Sequence, residues 1–334
     1  MSAFSEQPRD DARAPTSHGR TLYVTVENRS GSVQHYFHFL LGFFVPLIHR
    51  LSTSWRGRRI DRVLVRSCGP FDLMIEELGD RRIHVLDPEQ HRQLARVAVR
   101  ESPSLEVATI RGNDDPAGYD RATFALVRKT LGRKREVQDE MRHVEEVWPP
   151  GDPRILMIDR GPSHPFYKSE QSESKSSGNE RRSIPNFSEI HRSVQRRHRA
   201  CLSVMPETLT LARQFALFAT ADVIIAQTGA ALANMIWARP SATVIVIFPD
   251  DERTDYFRDL ALCLGLRYRR FRQDHSHAEV DPDELAAFVD HLLDHPDLLI
   301  TPHLRRISFR ALRRVTVPWA RTRSFSHRVI KRFA

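Results

Sequence analysis

The chain reads as an α/β protein built from two halves, each a parallel sheet with helices packed on it. Three observations predict this. Short apolar runs rich in Val, Ile and Leu alternate with segments of helical length and pattern. The stretch Trp148-Pro-Pro-Gly-Asp-Pro153 can continue neither a helix nor a strand, and the alternation restarts after it. The length of 334 residues fits two domains at roughly 100–200 residues each.

The elements follow in order. Residues 1–20 are polar, rich in Ser, Pro, Asp and Arg, and read as a disordered leader. A β-type run occupies 21–27 (TLYVTVE), and an apolar, aromatic helix follows at 35–51. Strand patterns recur at 62–66, 83–86 and 105–110, with helical patterns at 71–78, 89–99 and 121–131 between and after them. Beyond the proline break, strands are predicted at 154–159, 200–205, 222–226, 242–248 and 266–271. The matching helices are 187–197, 208–220, 230–237, 255–264 and 282–293. The domain reading is therefore a leader (1–20), an N-terminal Rossmann-like domain (21–148), a C-terminal one (149–300) and a tail (301–334). Right-handed βαβ crossovers place the ligand of such units at the carboxyl ends of the strands. A long polar insert, residues 161–183, breaks the second half. Its ends carry Arg160 and Arg181-Arg182, either meeting over one site or facing water.

Charge narrows the function classes. The chain holds 51 Lys and Arg against 42 Asp and Glu, a net of +9. Ten of the basic residues fall in 301–334, which has no acid, so the rest is close to neutral. Nucleic-acid binding by the body is excluded on this ground. The tail, 303–334, interleaves Arg with Leu304, Ile307, Phe309, Leu312, Val315 and Trp319. Such a segment suits an anionic membrane surface or packs back on the domains. Cys68, Cys201 and Cys263 are scattered, which argues against a disulfide framework or a zinc knot. The N-terminus lacks a signal-like apolar core and no run is long enough to span a bilayer, so a cytoplasmic protein, peripheral on the inner membrane face, is expected.

The most informative segment is 222–249, DVIIAQTGAALANMIWARPSATVIVIFP. A buried strand runs into Gly229, Ala230 and Ala231, which open a short helix. Small residues there serve tight strand–helix packing, or they admit a diphosphate to the helix's first amides. The stretch resembles the glycosyltransferase 61 family, whose domain carries a His-Gly-Ala-x-Leu-x-Asn signature before an apolar strand. Here the match is Thr228-Gly229-Ala230-Ala231-Leu232-Ala233-Asn234. Upstream, Arg160, Arg181-Arg182, Asn186 and Glu189 resemble the family's strand-ending Arg, Arg-rich segment, Asn and acidic helix. In the first half, His35-Tyr36-Phe37-His38-Phe39-Leu40 is similar to its opening helix. Thr228 departs from the signature His, Val246 from a Glu common before the Pro, and Phe187 from an acid after the Asn.

The resemblance implies a GT-B-like fold, two Rossmann-like domains facing across a cleft. It implies an inverting transfer from a nucleotide sugar to a glycan or lipid-linked glycan acceptor, without cofactor or bound metal. On this reading Arg160, Arg182, Asn186, Thr228, Gly229, Ala230 and Asn234 hold the donor, and surface polysaccharide synthesis is the expected setting. The catalytic base is His38, with His35 second, because imidazole titrates near neutrality. Asp72, Glu76 and Glu77 compete for that role, and a His among aromatics also serves as a satisfied core residue. Two rivals stand beside the transferase: a family member that binds or scaffolds without turnover, and a pyruvyl-type transferase acting on glycans.

Overall fold

Four strands of the first half form one all-parallel sheet: β1 (Arg20–Glu27), β2 (Ile60–Arg66), β3 (Ile83–Leu86) and β4 (Leu105–Arg111), in the order β3-β2-β1-β4. The computed structural model describes residues 20–27, 31–98, 105–173 and 177–295. The predicted leader, except Arg20, and the basic tail lie outside the described residues. Five strands of the second half form another parallel sheet: β5 (Ile155–Ile158), β6 (Cys201–Val204), β7 (Val223–Gln227), β8 (Thr243–Pro249) and β9 (Arg267–Gln273), in the order β6-β5-β7-β8-β9. The α/β, Rossmann-like fold expected from the alternation is present.

The first half's helices begin with α1 (Tyr36–Phe39), a π turn (Leu40–Phe44) and α2 (Val45–Ser52), which run on as one rod. Then come α3 (Asp72–Glu76), α4 (Pro88–Ala98), α5 (Arg121–Leu131) and α6 (Arg135–Val147). The second half adds α7 (Gly178–Arg181), α8 (Phe187–Arg197), α9 (Leu211–Thr220), α10 (Tyr256–Leu264) and α11 (Pro282–Asp294). Ala230–Trp237 has the predicted bounds but is a 3-10 helix.

Alternation along β5 explains the packing. Ile155 and Met157 join Val223, Ile225, Ile245 and Ile247 under α8 and α11. Leu156 and Ile158 point the other way with Ile224, Ala226, Val244 and Val246. That second core does not stop at the sheet. It continues through Phe215, Phe218 and Trp237 to Phe39, Phe43 and Phe44, and on to Leu22, Val24, Val63 and Val65 of the first sheet. A single apolar interior thus joins the two halves.

The helix α6 escaped the sequence pattern. Its sequence, REVQDEMRHVEEV, is mostly charged, yet Val137, Met141 and Val144 recur at helical spacing and bury against α9. Arg213 pairs with Glu140 at 3.0 Å, and Trp148 Nε1 donates to Thr220 Oγ1 at 3.1 Å, so α6 and the proline break lie clamped to the second half.

Candidate functional site

In each sheet the chain reverses its direction of strand addition at one place, and there the loops diverge to leave a crevice. In the second sheet that place lies between β5 and β7. The residues just beyond these strands are Arg160 and Thr228-Gly229. Arg160 donates to the Thr228 carbonyl at 2.6 Å, and its guanidinium fills the space a Cβ at Gly229 would take. Only glycine allows the strand end to close on this side chain. The 3-10 helix starts immediately after, with Ala230 and Ala231 half-exposed while residues 232–237 are buried. Helix N-terminal amides lack partners inside the helix and favour anions.

Arg160 is not alone. Burial, then Arg182 and Arg181, push its pKa down to about 10, and only Glu207 opposes them. Arg182 is lowered by burial and by Arg181 in turn, and its guanidinium pairs with Glu252. Among the described residues, neither Arg160 nor Arg181 has a carboxylate at ion-pairing distance. An anion bound beside them would relieve the repulsion among these like charges.

The base of the insert makes the cluster. Asn179 N–H donates to the Gly161 carbonyl at 2.9 Å, and Ser163 and Ser177 hydroxyls meet at 2.8 Å. Gly178, at φ +59°, sits against Gly161, where a Cβ would lie 2.5 Å from that carbonyl. Its far side reaches the first half. Tyr167 donates its hydroxyl to the Gln34 carbonyl at 2.6 Å, Glu173 pairs with Arg66 at 2.6 Å, and Ser32 donates to Glu173. The insert is a strap across both halves. Of the two alternatives for its basic ends, the mutual electrostatic influence of Arg160, Arg181 and Arg182 favours the first.

The first sheet reverses between β1 and β4, and His38 and Asp114 come from the segments after those strands. His38 Nδ1 lies 2.8 Å from Asp114 Oδ2. His35 packs on Tyr167 with ring centroids 6.2 Å apart and edge-on to His38 at 6.3 Å. Burial, then Arg181 and His38, lower the His35 pKa. Arg181 therefore acts on both the arginine cluster and His35. Gly31 packs on the Nε2 edge of His38. It also lines a cavity of about 870 Å³, shared with Tyr23, Thr25, Arg66, His91 and Glu173.

Several expected residues have other tasks. Asn234 lies in the core, its Oδ1 accepting from Trp237 Nε1 at 3.0 Å and lying 2.7 Å from the Tyr36 hydroxyl, its amide donating to Gln214. Asn186 holds the chain at Val280 with two hydrogen bonds, of 2.8 and 3.1 Å. Thr228 is buried and contributes its carbonyl rather than its hydroxyl to Arg160. Val246 is sealed in the core, and Phe187 packs under α11. Of the competing carboxylates, Asp72 accepts from Ser67 and Cys68, while Glu77 accepts the Leu211 N–H at the start of α9. Asp115 serves its turn by accepting from the Gly118 N–H, whereas its neighbour Asp114 meets His38. The sequence reading missed Asp114 and Glu207 as site residues and left Arg181 as a neighbour; no local pattern marks the first two.

Comparison of the chain with curated proteins finds no match. Residues 36–246, from the histidine-bearing helix to the penultimate strand, match the family model for glycosyltransferase 61. That span contains His38, Asp114, the three arginines and the Gly229 turn, and the chain belongs to the glycosyltransferase 61 family.

Proposed function

We propose that this glycosyltransferase takes its sugar from a nucleotide-sugar donor and transfers it with inversion to a glycan or lipid-linked glycan hydroxyl. The carrying observation is the pair of arginines without carboxylate partners among the described residues, Arg160 and Arg181, beside Arg182 and the Gly229 turn. Guanidinium forks match phosphate oxygens and stay charged at neutral pH, and burial strengthens each contact. In the proposed reaction His38 Nε2 takes the acceptor proton. The acceptor oxygen bonds to the anomeric carbon on the face opposite the diphosphate, and the bond from that carbon to the diphosphate oxygen breaks. Arg160, Arg181, Arg182 and the first amides of the 3-10 helix receive the charge that leaves, so the step calls on no metal. The acceptor enters through the cavity beyond Gly31. A GT-B arrangement, with donor in the second half and acceptor in the first, is supported by the presence of one reversal in each sheet. A cytoplasmic enzyme of surface polysaccharide synthesis, with residues 303–334 on the membrane face, completes the proposal.

The test is calorimetric titration of the full chain with nucleoside diphosphates and a panel of nucleotide sugars, Arg160→Met in parallel. One donor is expected to bind, at least tenfold more weakly to the variant, since a hydrogen bond to a charged group contributes about 1.5–3 kcal/mol. A folded chain that binds none of them overturns the donor assignment. Binding without product release favours the turnover-free reading that Thr228 keeps open.

A further inference from the structure

His38 is held by more than packing, and the holding has a chemical direction. Its ring lies edge-on to Phe37 at 5.2 Å and to His35 at 6.3 Å, which fixes the ring plane. Asp114, whose side chain is 1% exposed, meets Nδ1 at 2.8 Å. An ionised carboxylate can only accept a hydrogen bond, so the proton of this contact belongs to the imidazole nitrogen.

The backbone is shaped to place that carboxylate. The π turn Leu40–Phe44 leaves the Leu41 carbonyl to accept the Asn113 N–H at 2.8 Å, which docks the segment after β4 onto the helix. Two glycines form the cradle. A Cβ at Gly42 would stand 3.1 Å from the Asp114 Cγ, and one at Gly112 would stand 2.7 Å from its Oδ1. The segment is then stitched shut by Asn113 Nδ2 donating to the Gly118 carbonyl at 2.6 Å. On the opposite edge of the ring a Cβ at Gly31 would collide with Nε2, and Gly31 borders the large cavity.

We infer that Asp114 is a positioning residue that fixes the His38 imidazole with its proton on Nδ1, so that Nε2, on the Gly31 side of the ring, carries the lone pair. An unrestrained neutral imidazole prefers the other tautomer, with its proton on Nε2, which has no lone pair there to take a proton. Asp114 reverses this preference, because the tautomer follows the hydrogen bond made by the second nitrogen. The consequence for transfer rests on His38 being the base, whereas the tautomer does not.

The experiment is nitrogen-15 NMR of the full chain labelled on histidine, with the His38 signals assigned by their loss in His38→Gln. The pH is raised until the ring signals stop moving, so that neutral tautomers are read. Wild type is expected to show a protonated Nδ1 and a bare Nε2. In Asp114→Ala the proton moves mainly to Nε2, and in the isosteric Asp114→Asn, which serves if the truncation does not fold, the two tautomers mix. A wild-type Nε2–H tautomer overturns the inference, as do spectra of both variants unchanged from wild type. If His38→Gln transfers sugar at the wild-type rate, the base assignment falls while the tautomer result stands separately.

Discussion

At the scale of single residues, the site depends on side chains that are absent as much as on those present. Gly229 is the clearest case, since any Cβ there would occupy the position of the Arg160 guanidinium. Gly229→Ala is expected to expel Arg160 from the Thr228 carbonyl. Donor affinity by titration should then fall at least as far as in Arg160→Met, with a stability loss of about 1–3 kcal/mol in urea melts. Asp114 and His38 supply a second prediction. Each of Asp114→Asn and His38→Gln should lower kcat roughly 10²-fold or more, with KM for the donor little changed. The double variant should be no slower than the worse single one, because residues acting as a unit do not add. Additive losses would separate the two residues. Arg160, Gly229 and His38 were legible because each lies in a local pattern at a strand or helix end. Asp114 was not, since its partner stands 76 positions earlier and only the fold joins them. The hydrogen bonds that Asn186 and Asn234 make within the fold could not be read for a related reason: a polar side chain in apolar sequence looks the same whether it serves a ligand or closes a buried network.

At the scale of elements, β5, β7 and β8 could be read because parallel strands buried on both faces are near-continuous apolar runs, whereas strands such as β9, RYRRFRQ, showed only through the αβ alternation around them. The charged α6 could not be read, since only four of its thirteen residues are apolar and one of them, Val147, is exposed. The strap was visible only as an insert, and its span across the halves depends on contacts between distant segments. Glu173 joins it to Arg66 and Ser32 at a half-exposed position. Glu173→Ala should therefore change overall stability by less than about 1 kcal/mol. Limited proteolysis within the insert should nevertheless speed up several-fold, and donor KM should rise, because Arg181 and Arg182 lie on the returning arm. An unchanged cleavage rate would show that Tyr167 and the Gln34 side chain hold the strap without the Glu173 carboxylate.

For the whole molecule, stability should depend on the charge gathered at the site. His35 is lowered by burial, Arg181 and His38, while the unfolded chain protonates it near the ordinary ~6.5. As pH falls below that value the unfolded state binds the extra proton, and stability declines until the folded value is passed. His35→Gln removes this contribution, so its melting temperature should gain on wild type between pH 7 and pH 5 in parallel thermal melts. Arg160 carries a similar penalty at neutral pH, and a bound dianion relieves it. Inorganic pyrophosphate should raise the melting temperature of wild type but not of Arg160→Met.

The apolar interior that runs unbroken from Leu22 to Tyr268 has a consequence for engineering and for descent. Enzymes whose halves meet across water can trade one half for another and so change acceptor while keeping donor. Here a crossover at the proline break would cut through Phe39, Phe215 and Trp237, leaving each parent's aromatic surface against a stranger's. Half-exchange chimaeras of this chain should precipitate. New acceptor specificity in such a lineage would arise by point changes around Gly31, His91 and the strap.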